Sequence, residues 1–153
     1  MRKKIFLVLT ICWMAVIFTF SAREATVSSQ DSASVGILVG KIFVPHFKEW
    51  TQEKQTAFAE KIDHPVRKTA HATEYAVLGF LIAGSYCDRK KRRGISIGIP
   101  WLIGTAYAVS DEFHQWFVPG RSCQVTDMMI DSSGVFVGVL AGQLLWNFKN
   151  KKS

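Results

Sequence analysis

Within residues 107–131 the chain places an unusual density of ionisable side chains: Tyr107, Asp111, Glu112, His114, Gln115 and Arg121, followed by Asp127 and Asp131. A second run carries Arg67, Lys68, His71, Glu74 and Tyr75. Carboxylates, imidazoles and guanidinium groups together can bind an anion, take part in proton transfer or hold a divalent cation. At helical spacing, Lys68, His71 and Tyr75 share one face with Glu74 beside it, and Tyr107, Asp111 and His114 form a second stripe flanked by Gln115. Glu112 turns about 100° away from Asp111 and so requires a different partner. Asp127 and Asp131, one turn apart, share a face with Gly134, Gly138 and Gly142.

These groups sit among apolar runs. An ionisable residue at bilayer depth costs roughly 2.5–3.5 kcal/mol, and such residues face a bundle interior or a cavity. Three deep carboxylates would therefore forfeit roughly 8–10 kcal/mol if left unpaired. Counting Arg67, Lys68 and Arg121 against Glu74, Asp111, Glu112, Asp127 and Asp131, with the histidines neutral, the cluster is short of two positive charges. Protonation or a bound divalent cation are both open ways to supply them.

The elements that must position the cluster follow from the apolar blocks. A span needs about 20 predominantly apolar residues, and the 153-residue chain offers four blocks, at about 5–22, 66–86, 95–118 and 126–148. The fold class is therefore all-α, a single domain over residues 1–153 forming an integral membrane four-helix bundle. The first block reads as an uncleaved anchor, since it lacks small residues at both signal-cleavage positions, and Trp13 within it as packing alone. Asp63-His64-Pro65 reads as the start of the second span, and Thr126 as the N-cap of the fourth. The external segment, 23–65, reads as an irregular Ser-rich part over 26–34, an apolar piece over 35–44 too short to span, and an amphipathic surface helix over 48–62, together a lid on the outer leaflet. His46 is expected to be solvated.

Net charge is +7, and 11 of the 19 basic residues fall in three places: Arg2-Lys3-Lys4, the run Arg89-Lys90-Lys91-Arg92-Arg93, and Lys149, Lys151 and Lys152. The positive-inside rule makes these segments cytoplasmic, with both termini inside a multi-pass cell-membrane protein. That distribution explains the basic excess without a nucleic-acid partner, for which no reader motif is present. Cys12, Cys87 and Cys123 fall in different compartments of this topology, and no disulfide is expected. The ladder Gly134, Gly138, Gly142 suits close helix approach inside the bundle or, alternatively, a homo-oligomer contact.

The stretches Arg67-Lys68-x-Ala70-His71-x-x-Glu74-Tyr75-x-x-Leu78-Gly79, Ser110-Asp111-Glu112-Phe113-His114-Gln115-x-Phe117-x-Pro119-x-Arg121 and Asp127-x-x-x-Asp131-x-x-Gly134 resemble the VanZ family. Tyr75, Asp111, Glu112, Gln115, Arg121, Asp127 and Asp131 stand at its motif positions, whereas residues 23–62 match no motif. The resemblance implies a small multi-spanning membrane protein, whose namesake is associated with teicoplanin resistance. Three functions are compatible with the cluster. The first is a non-catalytic binder of a membrane lipid or lipid-linked envelope precursor at an outer-leaflet polar site, lowering susceptibility to lipoglycopeptides such as teicoplanin. The second is a cation-assisted transferase or hydrolase using His71 or His114 as acid/base. The third is a structural partner of envelope machinery, in which the polar residues merely staple the bundle.

Overall fold

The computed structural model describes residues 1–86 and 93–149. Its elements are α1 (Arg2–Ser21), α2 (Ala25–Phe43), a short 3-10 turn (Phe47–Glu49), α3 (Gln52–Tyr86), α4 (Arg93–Gln115) and α5 (Val125–Lys149). The described residues are all-helical, without strands. Cys87, the basic run from Arg89 to Arg92, Lys151 and Lys152 lie outside the described residues.

Around a hydrophobic core that includes Ile17, Leu78, Ile82, Val135 and Val139, the polarity departs from that of a water-soluble domain. Buried positions include Ser96, Asp111, Glu112, Gln115, Asp131 and Gln143, while Ile5, Leu7, Val8, Ile11, Leu102, Ile103, Phe113, Val137 and Leu144 are exposed. Exposed apolar surface on that scale marks an interaction surface, and on helices of this length the matching environment is hydrocarbon. Among the described residues, two helices are long and apolar enough to cross a membrane, α1 and the part of α5 from Val125 to Trp146. α3 and α4, expected as the second and third spans, do not meet the same measure. Ionisable residues dilute their apolar content, Arg67, Lys68 and Glu74 in the middle of α3 and Asp111 and Glu112 near the end of α4.

α3 is the axis of the molecule: α5, α2, α1 and α4 all pack against it, α5 most extensively. The glycine ladder explains that contact. A Cβ on Gly134 would collide with the Ala72 carbonyl, one on Gly138 with the Ala76 carbonyl, and one on Gly142 would come within 2.9 Å of Ala83 Cβ. From the other side, Gly79 lies against the Val135 backbone. Small residues at spacing four thus bring two backbones together, and all three ladder glycines are buried against α3 of the same chain.

Several expectations are corrected. Asp63-His64-Pro65 does not start a helix, because α3 runs without interruption through Pro65. A proline in a helix interior removes one hydrogen bond and crowds the carbonyl four residues before it. Here packing holds both halves in line, α2 along the first and α5 along the second. At 35 residues, α3 is about 52 Å long and exceeds a bilayer core by several turns. The Ser-rich stretch is not irregular but forms the first half of α2. One of its hydroxyls folds back onto the helix, Ser34 Oγ donating to the Gln30 carbonyl at 3.0 Å. Ser32, Gly36 and Gly40 form a second small-residue ladder: a Cβ on Gly36 would lie 3.1 Å from Ala59 Cα, and one on Gly40 2.5 Å from the Phe47 ring. α2 and the first part of α3 are therefore a helical hairpin rather than a lid of separate pieces. His46 at its tip is exposed, adopts φ 57° and contacts Glu49 at 3.0 Å. α5 starts at Val125, one residue before the expected cap.

The ladder makes a direct prediction. Gly138→Val in detergent should destabilise the protein by more than about 3 kcal/mol, since overpacking against a carbonyl has no flexible atom to displace. Gly98→Ala, where a Cβ would meet nothing within 4 Å, should change the midpoint of thermal unfolding little. Equal effects from the two substitutions would contradict the packing.

Candidate functional site

The ionisable residues assemble into linked groups at the end of the molecule where α3, α4 and α5 approach the α2 hairpin. The central chain starts at Tyr75, fully buried on α3, whose hydroxyl donates to Asp111 Oδ2 at 3.1 Å. Gln115 Nε2, one turn along α4, donates to the same oxygen at 3.3 Å. The Gln115 carbonyl oxygen accepts from Arg121 Nη1 at 3.2 Å, and Arg121 Nε reaches the Arg23 carbonyl at 3.3 Å. The turn that delivers Arg121 depends on Gly120, at φ 72°, a conformation that side chains disfavour. Phenol, carboxylate, amide and guanidinium thus form one relay from the core to the loop.

Around it, Lys68 Nζ pairs with Asp127 Oδ1 at 2.7 Å. Glu112 has the separate partner its orientation requires, accepting from the Gln124 backbone N–H at 3.0 Å and so tying α4 to the start of α5. Asp131 is fully buried with neither oxygen bonded to another described residue. His114 lies against the Phe18 ring, centroids 4.5 Å apart. The Tyr107 hydroxyl donates to the Met14 carbonyl at 2.7 Å, so the Tyr107 stripe is also the seam between α4 and α1. Trp13 does more than pack, because its Nε1 donates to the Glu74 carbonyl at 2.9 Å and clamps α1 to α3.

Beside the relay opens a cavity of about 920 Å³ between α1, α2 and α3. Of the residues singled out in the sequence, Arg67, His71, Glu74, Asp111 and Arg121 line it, whereas Lys68, Tyr75, Glu112, His114, Gln115, Asp127 and Asp131 do not. Those seven occupy the surrounding framework, and Tyr75 and Gln115 hold Asp111 in place. The sequence reading missed Arg23, Ser28, Asp31 and Ser32, which supply the α2 side of the polar end. Arg23 Nη1 pairs with Asp31 Oδ2 at 2.6 Å; Arg67 Nη2 pairs with Asp63 Oδ2 at 2.6 Å and bonds Ser29 Oγ at 3.1 Å; Ser32 Oγ donates to Asp63. The signal was the spacing of Ser32, Gly36 and Gly40, which predicts that α2 closes on a neighbour.

The apolar part of the wall comes from Ile17, Phe20, Val35, Val39, Ile62, Val66 and Val77. Lining the cavity are three guanidinium groups, Arg23, Arg67 and Arg121, and three carboxylates, Asp31, Glu74 and Asp111. With His71 neutral the lining is balanced, and the deficit counted over the whole cluster does not apply to it. Arg121 is half-buried in a loop; burial first, and then the positive charge of Arg67, lower its pKa from the usual guanidinium value. Among the described residues no three of His, Cys, Asp and Glu converge where they could hold a metal ion.

The relay is testable by a double-mutant cycle. Tyr75→Phe should cost about 1–3 kcal/mol, the range for losing one partner of a buried polar group. Tyr75→Phe and Asp111→Asn together should show a coupling of about 0.5–3 kcal/mol in detergent unfolding, and strict additivity would mean that the hydroxyl and the carboxylate do not interact.

No curated protein and no solved structure matches the chain. A family model, VanZ/LLP1, matches residues 6–146, which take in all five helices, the relay and the cavity wall. By that match, over nearly its whole length, the chain belongs to the VanZ/LLP1 family, as the three spaced motifs imply.

Proposed function

We propose that this protein is a multi-pass envelope membrane protein that binds an amphiphile, a membrane lipid or a lipid-linked wall precursor, in the cavity between α1, α2 and α3. One observation carries the reading: a single cavity joins a polar end of guanidinium and carboxylate groups to a wall of aliphatic side chains. Its volume lies within the range of about 300–1,000 Å³ typical of ligand sites. A headgroup meets the charges while a chain lies along Val35, Val39, Ile62 and Val66.

In the arrangement proposed, α1, the second half of α3, α4 and α5 cross the bilayer with both termini cytoplasmic. The Arg2 guanidinium lies 4.9 Å from the centroid of the Trp146 ring. This supports placing the start of α1 and the end of α5 together, at the side opposite the cavity. The basic residues at that end favour the cytoplasmic face, which leaves the cavity at the outer leaflet.

An acyl-bearing glycopeptide is an amphiphile of the same kind, since each buried CH₂ contributes about 0.8 kcal/mol to its anchoring. Expression in a susceptible Gram-positive host should raise the inhibitory concentration of teicoplanin more than that of vancomycin, which has no acyl chain. Val35→Trp, which fills the apolar part of the cavity, should abolish the difference. Equal shifts for both drugs, or a difference that survives Val35→Trp in inserted protein, would contradict a role for the cavity in resistance. Phospholipid that co-purifies with the wild type and is lost from Val35→Trp would support amphiphile binding independently of either drug.

A further inference from the structure

The charges lining the cavity are not equally satisfied. Arg23 is matched by Asp31, and Arg67 by Asp63. Asp111 Oδ2 receives both Tyr75 and Gln115. Arg121 differs, because its two hydrogen bonds go to neutral acceptors, the Gln115 amide and the Arg23 carbonyl, and it forms no ion pair with any described carboxylate. A guanidinium has five N–H donors, so Arg121 keeps donors to spare. Glu74 is the converse. Its backbone carbonyl accepts from Trp13, but its half-buried side chain makes no hydrogen bond and no ion pair among the described residues. Arg121 and Glu74 therefore line the same cavity without an ion pair, each within the other's field, and Asp111 beside them is bonded only by neutral donors, with its Oδ1 unbonded among the described residues.

A half-buried charge without a partner is costly, and two of opposite sign are both relieved by a ligand that carries the complementary pair. An anionic ligand alone would answer Arg121 and leave Glu74 repelled; a cationic one would do the reverse. A phosphate suits the anionic half, since guanidinium groups bind its oxygens through parallel donors, and Arg67 stands at the same wall to share it. For the cationic half, a primary ammonium brings three N–H donors to a carboxylate, whereas a quaternary ammonium brings none.

Resting on the amphiphile reading above, we propose that the ligand's headgroup is zwitterionic, with a phosphate held by Arg121 and Arg67 and a primary ammonium held by Glu74. The aliphatic wall from Val35 to Val66 takes its chain. Phosphoethanolamine-type lipids have this chemistry.

The test titrates purified full-length protein in maltoside micelles with three probes of equal chain length: dodecylphosphoethanolamine, dodecyl phosphate and dodecylphosphocholine. Thermal stabilisation gives an apparent affinity for each as a mole fraction in the micelle. The ethanolamine probe should bind about tenfold or more tightly than the other two, the factor expected for one charge-assisted hydrogen bond. Glu74→Gln should bring it down to the level of dodecyl phosphate, while Arg121→Gln should weaken both. If wild-type protein binds all three equally, or prefers dodecyl phosphate, and Val35→Trp abolishes that binding, the zwitterionic assignment is overturned and amphiphile binding stands. Should no probe stabilise the wild type beyond Val35→Trp, amphiphile binding in this cavity fails and the headgroup assignment falls with it. The comparison of probes on the wild type does not depend on any variant folding.

Discussion

The approach of α5 to the backbone of α3 is the constraint on which the remaining geometry depends. Gly134 and Gly138 rest on the carbonyls of Ala72 and Ala76, and that register fixes what stands one or two turns further along. It places Asp127 within 2.7 Å of Lys68 and seals Asp131 inside the bundle. A larger side chain in the ladder would push the helices apart. Because core packing is dense and deforms little, the displacement would reach the polar layer, in which hydrogen bonds weaken over a few tenths of an ångström.

With that pair fixed, the polar layer divides the work between structure and ligand. Several residues at the helix seams are satisfied by neighbours, Tyr75 by Asp111, Gln115 by Asp111 and Arg121, Glu112 by the Gln124 backbone, whereas Asp131 is buried with neither oxygen bonded among the described residues. Residues facing the cavity retain capacity. A network that served only to staple helices would be expected to satisfy its own members, since each unpaired buried polar group offsets what the others contribute. Under the function proposed above, the donors left on Arg121 and the unbonded Glu74 carboxylate would serve a ligand, while the bonded seam residues hold the helices together.

How much of this could be read in the sequence depends on range. The all-helical class, the helices ending in the basic and acidic motifs, and the glycine ladder on α5 were legible because each is a matter of local composition and spacing. That Glu112 would have a different partner from Asp111 followed from 100° per residue alone. The path of the chain through Pro65 was not legible, because a proline after Asp63-His64 is a sound local signal for a helix start and only the packing of α2 overrides it. The Ser-rich stretch failed for a related reason. Serine favours caps and turns when water is the alternative, but here Ser32 occupies one rung of a ladder against α3. The roll of candidate residues could not separate framework from lining, a distinction that depends on which way each side chain of α3 and α4 faces.

The segment without a family motif in the sequence turns out to be the wall that gives the cavity its contents. α2 contributes Ser28, Asp31, Ser32, Val35 and Val39 to it, and Arg23 precedes the helix. It is held at both ends: the Ala25 backbone N–H reaches the Pro119 carbonyl at 3.3 Å, beside the turn that carries Arg121, and Phe47 sits buried beneath Gly40 at the tip. The motif residues of α3 and α4 thus supply a charged floor, while α2 sets how far an apolar chain can extend from it. Under the proposed amphiphile binding, the floor would select the headgroup and α2 the chain. Changes in the α2 wall would then alter the proposed ligand's fit without disturbing the relay from Tyr75 to Arg121, because none of the relay's side chains is bonded to a side chain of α2.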